Sequence, residues 1–162
     1  MRAFLGLGSN VGDRLAMLRA ARDGLAGLAG VEVVAASSAY ETAPQGPVAD
    51  QPDFLNACLE IETALDPEEL LEAAKALELR LGRDVEPVPQ GPRPIDVDLL
   101  MYGEAAYRSS RLVLPHPDIS TRRFVLAPLL EVDAELTLPD GTRLAECLAG
   151  LHDQRVERSE EL

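Results

Sequence analysis

Tryptophan is absent from this chain, lysine occurs once, at Lys75, and three Tyr and three Phe are the whole aromatic complement of 162 residues. With so few rings, an aromatic on the polar face of a strand has to be accounted for. Cysteine is as scarce: Cys58 and Cys147 lie far apart without metal-ligand spacing, so a reduced, cytoplasmic protein is expected, with Cys58 a small packed residue in a strand. No second His or Cys accompanies His116 to suggest a transition-metal site. No run approaches the ~18 apolar residues of a membrane span, and Gly8-Ser9-Asn10 interrupts any signal-peptide pattern early. Positive charge is also short. The net charge of −13 argues against nucleic-acid and anionic-membrane partners. No G-x-x-x-x-G-K-S/T is present, so a nucleoside triphosphate would be held without a P-loop, and no G-x-S-x-G marks a hydrolase elbow.

The chain length suits one domain with a single sizeable core, spanning 1–162, with a charged and mobile tail from about His152. Arg2 to Leu7 reads as a central strand, and Asp13 as the N-cap of a helix carrying Leu15, Leu18, Ala21, Leu25 and Leu28 on one face. Val31 to Tyr40 reads as a second strand. In a third, Phe54 to Thr63, alternation sends Leu55, Ala57, Leu59 and Ile61 to the core and Phe54, Asn56, Cys58, Glu60 and Glu62 to the other face. Asp66-Pro67-Glu68-Glu69 opens a second helix with buried Leu70, Ala74, Leu77 and Leu81, ended by Gly82. After a proline-rich loop, Arg83 to Pro94, comes a strand to Tyr102, then a helix near Thr121 to Leu130 and a small hairpin over Leu136 to Thr142. The order is βαββαβ with a C-terminal extension. It predicts an α+β, ferredoxin-like fold: a largely antiparallel sheet with helices on one face. Fold alone assigns no activity.

The chemistry concentrates in Pro92 to Tyr102. Alternation puts Ile95, Val97, Leu99 and Met101 on one face and Asp96, Asp98, Leu100 and Tyr102 on the other. Two neighbouring carboxylates repel unless a cation or proton lies between them, and Mg²⁺ takes such oxygens while keeping positions for phosphates. A solvated acidic strand face is the bland alternative. Six arginines between Arg83 and Arg123, in a segment with as many acids, suggest a small anionic ligand, and Arg93 at the mouth of the strand suits a phosphate. Phe54 shares a face with Asn56, so ring and amide could meet a flat heterocycle; packing under a loop is the other reading. His116, between prolines, is either a structural hydrogen-bonder or a phosphate or ribose contact. Gly6, Gly8 and Gly12 are spaced G-x-G-x-x-x-G, one residue too long for a dinucleotide fingerprint. A Gly-Ser turn with an Asp-x-Asp is also a nucleotidyltransferase feature, but there the aspartates follow the turn closely.

Gly8-Ser9-Asn10, Tyr40-Glu41-Thr42-Ala43-Pro44, Gln51-Pro52-Asp53-Phe54-Leu55-Asn56, Gly91-Pro92-Arg93-Pro94-Ile95-Asp96-Val97-Asp98, and Leu114-Pro115-His116-Pro117 with Arg122-Arg123-Phe124 follow one another in order. Together they make the chain, from its first strand to about Leu138, closely resemble the 6-hydroxymethyl-7,8-dihydropterin pyrophosphokinases of the folate pathway. The resemblance implies transfer of pyrophosphate from ATP to the pterin hydroxymethyl group, with AMP released and two Mg²⁺ ions held by Asp96 and Asp98. It implies catalytic-loop arginines Arg83 and Arg93, with the loop between them closing as a lid. It further implies ATP contacts at Lys75, Glu78, Arg93, Leu99, Arg111, His116 and Arg122, and a pterin pocket of Thr42, Pro44, Gln45, Phe54, Asn56 and Phe124, the two rings stacking on the heterocycle. Gln90, Val85 and Pro117 depart from well-known members. ATP and the pterin are the expected partners, and a monomer the expected state, with a dimer the alternative. A non-catalytic ferredoxin-like module that binds a small ligand is the competing reading from another class; intact Asp96, Asp98, Arg83 and Arg93 argue against it.

Overall fold

The computed structural model describes residues 1–44, 50–82, 94–152 and 154–162. Strand β1 (Arg2–Ser9) is central, flanked antiparallel by β4 (Phe54–Thr63) and β5 (Asp96–Tyr102). Outside β4 lie β2 (Val31–Ala36) and β3 (Ser38–Thr42), and β8 (Val156–Glu161) closes the sheet against β3. With helices α1 (Arg14–Ala26) after β1 and α2 (Pro67–Arg80) after β4, this is the expected α+β, ferredoxin-like arrangement. A two-stranded ribbon, β6 (Tyr107–Arg108) with β7 (Val113–Leu114), follows β5; α3 (Arg123–Val132) and α4 (Leu144–Ala149) come next.

Both long helices start where their caps dictate. The Asp13 carboxylate accepts from Ala16 N, and Asp66 and Glu69 form a reciprocal capping box with Pro67 in the first turn. Asp66→Ala should therefore cost about 1 kcal/mol, the usual value of an N-cap, measurable by urea denaturation. Leu18, Ala21 and Leu25 of α1 and Leu70, Ala74 and Leu77 of α2 pack with Leu55, Ala57, Leu59 and Ile61 on one side of the sheet.

Several expectations need correction. Helices cover both faces: α3 lies across the opposite side, where Leu126 and Leu129 bury Phe4, Cys58, Leu100 and Met101, because that face of β1, β4 and β5 is itself partly apolar. The second strand breaks at Ser37, whose hydroxyl accepts from Cys58 N and substitutes for a backbone carbonyl in the ladder. Alternation in β5 fails after Leu100: Phe4 pairs with Met101 but Leu5 with Leu99, so a bulge puts Leu100 and Met101 together on the α3 side and Tyr102 on the α1–α2 side. The tail from His152 is not a loose coil. Residues 156–161 form β8, Arg19 and Arg22 of α1 donate to the Glu161 and Leu162 carbonyl oxygens, and Leu162 packs on the core. The hairpin near Asp140-Gly141 reduces to a single bridge, Thr137 with Arg143, and α3 runs through Pro128 to Val132.

Candidate active site

Register assembles one cleft on the α3 side of the sheet. Gly8 stands between Asn56 of β4 and Asp96 of β5, and Gly6 between Cys58 and Asp98. Two residues without side chains in the central strand leave a trench whose walls are the Asn56 and aspartate rows. Phe54 and Thr42 at the ends of β4 and β3, and Arg122 and Phe124 at the start of α3, complete a cleft of about 700 Å³. The Asn56 amide donates to Thr42 Oγ1 at 2.7 Å, which fixes its orientation and directs its carbonyl oxygen toward the trench side at Gly8. A Cβ at Gly8 would stand 2.7 Å from that oxygen, so glycine here is a matter of close approach rather than backbone freedom.

Asp96 and Asp98 both line the cleft and are half-buried, not on an open strand face. Desolvation, with the charge of Asp96 beside it, pushes the Asp98 carboxyl up to about 7, against the opposing pull of Lys75. A carboxylate pair held at this cost suits a cation. Among the described residues no group of three or more His, Cys, Asp or Glu could hold a metal. Two carboxylates alone match the chemistry of Mg²⁺, which fills its remaining positions with water and phosphate oxygens.

A second cleft, about 740 Å³, lies across β5 and is walled by Leu71, Lys75, Leu99, Arg111 and His116. Asp98 lines both clefts. Lys75 donates to Glu78 at 2.8 Å, and Glu78, buried at the end of α2, also accepts from Val97 N, so α2 is tied to the β5 backbone beside the aspartates. His116 Nδ1 accepts from Asp118 N at 3.1 Å, which leaves the proton on Nε2. Burial and the neighbouring Arg122 lower its pKa, so the ring is a neutral donor at pH 7.

The structure thus brings Thr42, Phe54, Asn56 and Phe124 to the cleft with the aspartates, and Lys75, Leu99, Arg111 and His116 to the other, with Glu78 beneath. Arg122, expected at the nucleotide, lines the first cleft, where it pairs with Asp118 at 3.0 Å and lies over the Phe124 ring at 5.6 Å. Pro44 is half-buried and does not line the cleft. Gln45, Arg83 and Arg93, like Val85 and Gln90, lie outside the described residues. The sequence reading missed Gly6 and Gly8 as the floor. The available signal was two glycines, i and i+2, inside an otherwise apolar central strand.

A profile of the family described as 7,8-dihydro-6-hydroxymethylpterin-pyrophosphokinase (HPPK) matches residues 4–134. The 2-amino-4-hydroxy-6-hydroxymethyldihydropteridine pyrophosphokinase of Methylorubrum extorquens is 46% identical over 98% of this chain and 99% of its own. Its Pseudomonas aeruginosa counterpart is 40% identical over 97% and 96%. Among solved structures, an HPPK-DHPS crystallised with substrates superposes with a TM-score of 0.74 at 13% identity, covering 91% of this chain and 42% of that longer one. A Plasmodium falciparum HPPK-DHPS bound to pterin and p-hydroxybenzoate gives 0.72, again over less than half of its length (43%). At such identity the structures speak for the fold, whereas the sequence relatives match end to end. The chain belongs to the 7,8-dihydro-6-hydroxymethylpterin-pyrophosphokinase family.

Proposed function

We propose that the two clefts meeting at Asp98 are the pterin and nucleotide sites of a single Mg²⁺-dependent pyrophosphokinase centre. The reaction is pyrophosphate transfer from ATP to the hydroxymethyl group of 6-hydroxymethyl-7,8-dihydropterin in folate biosynthesis. The hydroxymethyl oxygen bonds to the β-phosphorus, the bond to the bridging α–β oxygen breaks, and AMP leaves. One observation carries the assignment: a carboxylate on β5 borders both clefts, so a triphosphate entering from one side meets an acceptor held on the other.

Phe54 and Phe124 hold the pterin ring, and Asn56, oriented by Thr42, reads its polar edge. Lys75, Arg111 and the Nε2–H of His116 hold the nucleotide, with Leu99 beside the base. Arg83 and Arg93 offset the negative charge on the transferred group. Asp96 and Asp98 hold Mg²⁺, two ions being the number that suits a triphosphate attacked at its centre; the metal supplies charge neutralisation at the phosphates. The protein's part is positioning and exclusion of water.

Mixing the protein with ATP, Mg²⁺ and the reduced pterin should yield AMP, and EDTA should stop it. Release of inorganic pyrophosphate instead would make the chain a nucleotidyltransferase. Phe124→Ala should weaken pterin binding by about 2 kcal/mol, the range of a desolvated aromatic anchor. Asn56→Ala should chiefly erode discrimination between pterin and other flat heterocycles. Calorimetric titration reads both, and unchanged affinity in the two variants would move the pterin elsewhere.

A further inference from the structure

The residues around the pterin cleft are held from outside the span of the family profile, by three residues ahead of and at the start of β8. The α3 end of the cleft begins without a cap of its own. Arg122 occupies the N-cap position and makes no side-chain cap bond among the described residues. The first helical N–H, that of Arg123, instead donates to Gln154 Oε1 at 2.7 Å. The Gln154 amide nitrogen donates in turn to the Thr121 carbonyl at 3.0 Å, and the Arg123 guanidinium donates to the Gln154 carbonyl at 2.8 Å. One side chain thus brackets the backbone on both sides of Arg122, two residues before Phe124. The opposite end of the cleft is held by the next two residues. Arg155 forms a short ion pair with Asp53, which precedes Phe54, and its carbonyl accepts from Ala43 N at 3.3 Å. Val156 pairs with Thr42 in the β3–β8 ladder.

We propose that Gln154 and Arg155 are positioning residues for the pterin site: a strap that fixes the separation of the Phe54 and Phe124 rings and the placement of Thr42. This rests on the pterin assignment above. Neither side chain lines the cleft, so each acts through a neighbour. A gap between two stacking faces is sensitive to small displacements, since a shift of ~1 Å can cost on the order of 10²-fold in rate. The nucleotide cleft shares none of these contacts; its walls come from α2, β5 and the segment from Ser109 to Pro117.

The test is steady-state AMP formation with pterin and ATP varied in turn, for wild type, Gln154→Ala, Arg155→Ala and the conservative Gln154→Glu and Arg155→Lys. Loss of one or two such hydrogen bonds should raise the KM for pterin about tenfold. The KM for ATP should stay within about twofold, since its cleft is untouched. Arg155→Lys keeps the charge opposite Asp53 and should recover most of the loss, whereas Gln154→Glu keeps the acceptor for Arg123 N but loses the donor to the Thr121 carbonyl and should recover only part of it. A merely structural role predicts a lower melting temperature with both KM values moved alike or neither moved, and either outcome overturns the strap. Should Gln154→Ala melt below the assay temperature, Arg155→Ala, at an exposed pair, carries the test alone. Wild type that forms no AMP from ATP and pterin would instead overturn the assignment of the cleft, and the strap with it; turnover in wild type with unaltered variants overturns the strap only.

Discussion

Asp98→Asn should abolish turnover while making the metal-free protein more stable. The loss should be on the order of 10³-fold, the scale of removing one preorganised electrostatic group, because the amide cannot replace a carboxylate against a hard cation. The gain follows from the same environment. Burial and Asp96 hold the Asp98 carboxyl at about 7, well above its ordinary value, so the fold disfavours the ionised form. A raised carboxyl pKa costs stability progressively as pH climbs from the unfolded value, about 4, to the folded one, and the full cost persists above that. In EDTA the variant should therefore melt higher than wild type at pH 8, by about 2–4 °C per kcal/mol recovered, and the difference should vanish near pH 4. Scanning calorimetry at the two pH values, with AMP assays beside it, reads both halves. A variant that retains near-normal turnover at saturating Mg²⁺ sinks the metal assignment.

If the assignment of the clefts proposed above holds, Gly8→Val should weaken pterin binding and leave ATP binding alone. Valine suits a central strand, and the backbone at Gly8 needs no left-handed conformation, so β1 should tolerate it. Its Cβ would nevertheless stand 2.7 Å from Asn56 Oδ1 and 3.8 Å from the Phe54 ring, and its methyl groups would fill the trench. A ring forced against those methyl groups should lose about 1–3 kcal/mol, the usual scale of overpacking, so pterin affinity should fall roughly 5- to 150-fold. ATP affinity should be unchanged, since the nucleotide cleft lies across β5. Calorimetric titration of each ligand separates the two effects; equal losses for both would mean that the strand itself had shifted.

What could be read in the sequence was what repeats or caps. Alternation in Phe54 to Thr63 named both faces of β4, and Asp13 and the Asp66 box fixed the helix starts, because these signals are local. The motifs carried the family and most of the residues of the two clefts. Most of the misses are non-local. The bulge at Leu100 depends on β1 across the ladder, and Ser37 enters its ladder only because Cys58 is opposite. Residues 156–161, VERSEE, have too little apolar content to announce a strand; they pair only because β3 offers an edge.

That outer strand has a further consequence. An unpaired sheet edge is a template for another chain, and proteins blunt it with charge. Here the last strand exposes Glu157, Glu160 and Glu161, with Arg158 alone among them carrying the opposite sign. A second copy approaching edge to edge would set these carboxylates against their own counterparts. Part of the strong negative charge thereby works against runaway sheet extension and aggregation along this edge.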